Sequence, residues 1–296
     1  MRRPGRPGRL VLALAALLLF SPTPTRAADS RVTVSWQPPH PRVSDVALVS
    51  IHGSADRARL DGSVDGRPLT FFPTPTGHAA LVGFDMELAP GRHAWRIALR
   101  EPGRSPRALG GVVRIGPRAF PVQRLTLPAP MVDLDPDTER RAVAEADALR
   151  ALCRTITPER LWRGPFVRPV VVSEPGSGFG SRRIINGQPR APHGGTDYAS
   201  PRGAPVVAVN AGRVALVAEH FFPGRLVVVD HGLGLYTLYF HLDETRVDAG
   251  EPVARGQVLG TVGSTGRATG PHLHFGVQVG SARIDPERLL ALPSPD

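Results

Sequence analysis

The stretch GSTGRATGPHLHFGVQV, Gly263–Val279, decides the fold of the C-terminal third of this 296-residue chain. Glycines crowd its first half, and a short alternating run, Leu273–Val279, closes it, so it reads as a tight turn feeding a β-strand. On a strand, residues i and i+2 point to the same face, which puts His272 and His274 into one cleft about 7 Å apart. A phosphate-cradling loop is the competing reading of Gly260–Gly270. It fails because the Walker lysine is missing and a strand, not a helix, follows.

Outward from that stretch the same grammar repeats. Phe166–Val172, Pro205–Val209, Gly212–Ala218, Arg225–Asp230, Gly234–Phe240 and Gln257–Val262 all read as strands between Gly turns, with hardly a helix signal before Pro286–Leu290. The result is an all-β domain with its chemistry on strand ends and loops. Two further blocks supply that chemistry. HGGTD at His193–Asp197 offers an imidazole and a carboxylate across three residues, two of them glycine, a spacing that permits a chelating loop. His241 follows the aromatic strand YTLYF. A catalytic zinc site needs about three protein ligands and an open position for water. His193, Asp197 and His274 supply the three, so peptide hydrolysis needs no nucleophilic side chain. His272 and His241 are left to take the proton and to steady charge on the tetrahedral intermediate. His231 and His220 read as turn and surface residues.

Five phrases occur in a familiar order: FGSR at Phe179–Arg182, HGGTDYA at His193–Ala199, VDHG at Val229–Gly232, LYFHL at Leu238–Leu242, and GSTGRATGPHLHF at Gly263–Phe275. Together they resemble the lysostaphin-like (LytM-type) zinc endopeptidases of peptidoglycan, over about residues 165–290. The resemblance implies an all-β domain of the duplicated hybrid motif type and one zinc ion on His193, Asp197 and His274. It also implies His272 as base, His241 as its companion, and peptidoglycan stem peptides as substrate. The longer phrase FGSRRIINGQ is similar to a Gram-negative subgroup that carries an N-terminal β domain. Two positions depart from many relatives: Gly276 stands where Glu is common, and Gly224–Arg225 where a Gly-Asn pair is common. Both bear on local loop structure and substrate fit rather than on the metal.

Upstream, residues 28–118 read as an immunoglobulin-like β-sandwich. Its strands are expected at Val32–Trp36, Asp45–Ile51, Leu69–Phe72, Ala79–Leu88, His93–Leu99 and Val112–Ile115. His40, His52, His78 and His93 are scattered singly there and read as surface or packing residues. Residues 119–164 form a linker: Pro121–Pro136 extended, then a helix from Asp137, its cap, to about Arg154. Its apolar stripe is Val143, Ala146, Leu149 and Leu152 or Cys153, too short for a coiled coil. Residues 165–296 are the peptidase domain.

Residues 1–27 read as a signal peptide: Arg2, Arg3, Arg6 and Arg9, then the apolar run Leu10–Phe20, then small residues before Ala28. An uncleaved anchor is the alternative, although the run is short for a membrane span. Export places the chain in the periplasm or outside the cell, with no transmembrane span after cleavage. The formal net charge of +10 falls to 10 − 5 = +5 once the five arginines of the leader are gone. All basic residues are Arg, a bias of GC-rich coding, so nucleic acid is not read as a partner. The single cysteine, Cys153, excludes an intramolecular disulfide and reads as a buried small hydrophobe. Three functions compete: a zinc endopeptidase cutting peptidoglycan cross-links, a non-catalytic wall-binding activator of another hydrolase, and a zinc peptidase of other peptides. The N-terminal domain is free to dock the wall, an envelope protein partner, or the cleft itself.

Overall fold

Short strand-forming runs between Gly and Pro turns recur along the chain, and the computed structural model, which describes residues 32–128, 132–171 and 178–296, is accordingly mainly β. The expected signal peptide, residues 1–27, and its cleavage site lie outside those residues. Among the described residues no helix is long and apolar enough to cross a membrane.

The first eight strands are β1 Thr33–Gln37, β2 Val46–His52, β3 Arg59–Val64, β4 Arg67–Pro68, β5 Phe71–Thr74, β6 Gly77–Gly83, β7 Gly91–Arg100 and β8 Arg107–Ile115. They form two four-stranded sheets, ordered β1-β2-β6-β5 and β4-β3-β7-β8. The Arg59–Val64 strand, with its Asp, Gly and Ser, carried no apolar signal of its own. It is held by pairing with β7 over its whole length.

β2 and β6 are buried on both faces, and their alternation feeds two different cores. Ala47, Val49, Ala80 and Val82 pack with Val64, Val113 and Ile115 of the opposite sheet. Val46, Leu48, Ala79 and Leu81 turn the other way, into one hydrophobic cluster with Trp162, Val279, Ala282 and Ile284 of the C-terminal half. Val32–Asp296 is accordingly a single compact unit. Ion pairs flank the junction, with Arg283 Nη2 3.0 Å from Asp85 Oδ1 and Arg118 Nη2 2.5 Å from Asp285 Oδ2.

Between the halves run β9 Val122–Leu125 and helix α1 Pro136–Leu152. The helix is capped by Asp135, not by Asp137. Asp135 is extended (φ −65°, ψ 158°), its carboxylate accepts from the backbone N–H of Asp137 and Thr138, and Pro136 occupies the first turn, where its missing N–H costs nothing. The buried stripe is also displaced: Ala142 is buried whereas Val143 is 53% exposed. Leu149, Leu152 and Cys153 pack on Leu226, Val228, Tyr236 and Leu238. Burial, then the charge of Asp230, pushes the Cys153 thiol up to about 12, so it stays protonated.

The C-terminal strands are β10 Arg182–Ile185, β11 Gln188–Pro189, β12 Gly195–Ala199, β13 Pro205–Val207, β14 Gly212–His220, β15 Gly224–Asp230, β16 Leu235–Thr245, β17 Pro252–Val253, β18 Val258–Val262, β19 His272–Val279 and β20 Ala282–Ile284, before helix α2 Pro286–Leu290. The main path is β12-β19-β16-β15-β14-β17, with β18 bridging β13 and β16, and β20 lying on β19. A small separate sheet, β11-β10-β9, is completed by the linker strand, which pairs parallel to β10. The strand expected at Phe166–Val172 does not form over its described residues, which end at 171. Pro165 and Pro169 lack the N–H a ladder requires, and Phe166 and Val170 instead drop into the core.

Candidate active site

Strand register builds the site. Asp197 on β12 lies directly opposite His274 on β19, and Ala199 opposite His272. Facing residues share a side of the sheet, so the Asp197 carboxylate and the His274 ring meet above it. Asp197 Oδ1 is 2.9 Å from His274 Nδ1, and His193 Nε2 is 2.8 Å from His274 Nδ1 and 3.0 Å from Asp197 Oδ1. Gly195 makes this closeness possible: a Cβ there would sit 2.5 Å from His274 Nε2 and 2.6 Å from the Phe275 carbonyl. On the opposite side β16 brings Phe240 against His274, and the rings stack at 5.1 Å and 6°.

His241 would face away from the cleft in a regular strand, since its neighbour Phe240 already pairs with His274. The backbone breaks the alternation there: His241 has φ 62°, a left-handed conformation uncommon for a residue with a Cβ. The ring thereby swings to within 4.8 Å of the His272 ring. Each of these two histidines gives its Nδ1–H to a backbone carbonyl, His241 to Thr265 at 2.8 Å and His272 to Gly270 at 2.9 Å. That choice of tautomer leaves each Nε2 lone pair bare. His272 Nε2 lies 3.8 Å from Asp197 Oδ1.

The site is electrostatically polarised. Burial opposes ionisation of Asp197, but hydrogen bonds from His193 and His274 outweigh it and hold the carboxyl far below its usual range. Burial first, and then the neighbouring histidines, push His241 down to about 3. Burial likewise takes His274 to about 4, against the pull of Asp197. Neutral imidazoles are what a metal requires of its ligands and what a proton acceptor must be. The donor set fits a cation: two ring nitrogens and a carboxylate oxygen converge on one point, too close to be satisfied by one another's protons alone. Tetrahedral N/O coordination at ~2.0–2.2 Å is the arrangement such donors favour.

The cleft, of about 130 Å³, is lined by these five residues together with Arg183, Ile185, Arg267, Ala268 and Thr269. Gln123, Leu125 and Leu127 complete one wall. These three come from the linker, which the sequence showed only as extended chain; nothing in its residues announced a place beside the histidines. Thr265 and Gly270 were also missed, although both lie in the opening stretch. They act through backbone carbonyls, which leave no mark on residue type. His231, read from the sequence as a structural turn residue, directly precedes the turn at 232–234. It is fully buried, Nδ1 2.8 Å from the Ala211 carbonyl and Nε2 2.7 Å from Thr237 Oγ1. At the two departures, Arg225 gives its backbone N–H to Thr265 Oγ1 at 2.9 Å, which ties that strand to the loop holding His241. A Cβ on Gly276 would meet Leu238 at an ordinary 3.4 Å.

Residues 191–286, which span the whole triad and both further histidines, match the model of peptidase family M23. The chain carries a peptidase M23 domain. The chain is 43% identical over 111 residues to peptidoglycan DD-endopeptidase ShyB of Vibrio cholerae, a match covering 37% of this chain and 26% of that protein. It is 37% identical over 135 residues to the DD-carboxypeptidase/endopeptidase Mpg of Neisseria meningitidis, covering 45% of this chain and 31% of the relative. The chain thus spans between a quarter and a third of these relatives' length. Similarity reaches beyond the M23 domain in one solved structure, a candidate M23 peptidase from Pseudomonas aeruginosa. It shares 29% identity at a TM-score of 0.64, covering 84% of this chain and 95% of that one.

Proposed function

We propose that this chain is a zinc-dependent endopeptidase that hydrolyses peptide cross-links of bacterial peptidoglycan. The carrying observation is the convergence of His193, Asp197 and His274 within hydrogen-bond distance of one another, beside two histidines whose Nε2 atoms are bare. The naming of similar proteins as peptidoglycan DD-endopeptidases supports the substrate.

His193, Asp197 and His274 would hold the zinc, which when bound polarises a carbonyl and lowers the pKa of water toward ~7. His272, fixed by the Gly270 carbonyl, accepts the proton at Nε2 and returns it to the departing amine. His241, fixed by the Thr265 carbonyl, stands 4.8 Å ring to ring from His272 and steadies the developing oxyanion. Phe240 stacks on the His274 ring and holds its orientation, and the β9 residues Gln123 and Leu125 wall one side of the cleft. Work on wall peptides requires export, which the leader at residues 1–27 would supply, to the periplasm or beyond. The N-terminal β domain would support the M23 domain and offer a surface to an envelope partner. The activator reading finds no support here, since a scaffold has no use for a full donor set and two positioned proton carriers.

The test is zinc content together with digestion of purified cross-linked muropeptides, with and without a chelator, read by mass spectrometry. Chelator-sensitive release of un-cross-linked stem peptides is expected. Bound zinc with no such cleavage would sink the proposal.

A further inference from the structure

Arg267 is anomalous among the arginines near the site. Its guanidinium lies 3.9 Å over the Phe222 ring, and its backbone N–H donates to the Phe222 carbonyl at 3.0 Å, so the side chain is held in place. Among the described residues it pairs with no acid. The groups that bear on its charge are cations, Arg183 and Arg190, and burial together with their repulsion brings its pKa down to about 10, still charged at neutral pH. Elsewhere half-buried arginines are matched, as Arg283 is by Asp85 and Arg118 by Asp285. Arg183, the second guanidinium in the cleft, is only partly engaged. Its Nε donates to Gln123 Oε1 at 3.3 Å, and Nη2 lies 3.6 Å from Asp197 Oδ2. Among the described residues the one carboxylate lining this cleft, Asp197, lies against Arg183 and the histidines and makes no ion pair with Arg267, so the Arg267 charge stays uncompensated, at a cost in free energy until an anion arrives.

We propose that Arg267, with Arg183 beside it, is a carboxylate subsite that binds the free α-carboxylate of the residue on the amine side of the scissile amide. The proposal deepens the peptidase reading and rests on it for the position of the amide. The side follows from covalent chemistry. The acyl-side residue spends its α-carboxyl in the bond being cut, so only the amine-side residue can still carry one. Proximity follows from size: about 130 Å³ is well below the ~300–1,000 Å³ of pockets that enclose a drug-sized ligand. Only the immediate neighbour of the amide reaches Arg267 from there. Planar guanidinium and carboxylate match in two parallel hydrogen bonds, a geometry Lys cannot copy. The subsite selects bonds whose amine-side residue ends in a carboxylate, whether a chain terminus or a cross-link made through a side-chain amine.

The experiment compares two peptides ending in D-alanyl-D-alanine, one a free acid and one a C-terminal amide, with the zinc-loaded chain. The wild type is expected to prefer the acid by about 10- to 100-fold in kcat/KM, the range of a charge-assisted pair. In Arg267→Gln the ratio should fall to near one, and Arg267→Lys should restore part of it. A merely structural role would slow both peptides and leave the ratio alone. Binding of N-acetyl-D-alanine and its amide, followed by NMR in wild type and Arg267→Gln, gives a readout free of turnover. Equal handling of acid and amide by the wild type, or a ratio that survives Arg267→Gln, overturns the subsite. Selective binding of the acid, with cross-linked muropeptides also left intact by the zinc-loaded chain, would instead overturn the peptidase reading and leave the subsite standing.

Discussion

Asp197 and His274 face one another across an antiparallel ladder, with Oδ1 and Nδ1 2.9 Å apart. The pairing couples the proposed metal site to the register of the sheet: a one-residue slip of β12 would turn the carboxylate to the opposite face. Asp197→Asn keeps the shape and removes the charge. It should weaken zinc binding by more than the ~10–100-fold typical of losing an outer partner. Zinc titration against a competing chelator measures it, with circular dichroism confirming an intact sheet.

In the proposed division of roles His272 moves protons and does not hold metal; its Nε2 lies 3.8 Å from Asp197 Oδ1. His272→Ala should therefore retain zinc while kcat falls by ~10²–10⁴. Loss of zinc in that variant would make His272 a ligand and revise the division of roles.

Gly195 admits no side chain, since a Cβ would lie 2.5 Å from the His274 ring and 2.6 Å from backbone. Gly195→Ala must push β12 away from β19 at the position of the metal donors. A loss of zinc affinity together with a lower Tm is expected. Gly276→Ala, whose Cβ would make ordinary contact with Leu238, serves as the control and should change either by little.

Phe72 belongs to the N-terminal half, yet its ring sits 5.7 Å edge-on to Trp162 inside the C-terminal cluster. Phe72→Ala should cost about 3–5 kcal/mol. Because the cluster spans both halves, unfolding should be one cooperative transition by calorimetry and by tryptophan fluorescence alike. Two separated transitions would show that the halves melt independently.

His231 gives a pH dependence remote from the metal donors. Burial is the dominant cause that holds its pKa down, to about 4 from 6.5, so the folded protein keeps it neutral while the unfolded chain protonates it. Between those values the unfolded state binds more protons, so stability rises with pH there. It is fully present above about pH 6.5 and is lost on acidification toward pH 4. At about 1.4 kcal/mol per pH unit the loss approaches ~3 kcal/mol. Denaturant titrations at pH 7 and pH 4.5 measure it, and His231→Gln should flatten the difference.

Residue identity and spacing were enough to mark the histidines and the carboxylate that the structure brings together. His272 and His274 fall on one strand face by simple alternation, and HGGTD supplies a second pair of donors with the glycine that lets β12 approach. Local rules also gave most strands, because apolar residues in period two and Gly turns act within a few residues. What failed was also local: Pro136 moved the helix cap to Asp135, and Pro165 and Pro169 removed an expected strand. Tertiary structure alone decided the rest. The bared Nε2 atoms of His241 and His272 depend on carbonyls of Thr265 and Gly270, and every residue type offers a carbonyl. The β9 wall depends on a parallel pairing between Val122–Leu125 and Arg182–Ile185, some sixty positions apart. The two-sided burial of β2 and β6 arises because a second half of the chain lies against them. Such features are set by which surfaces meet, and a sequence records its own periodicity but not its neighbours.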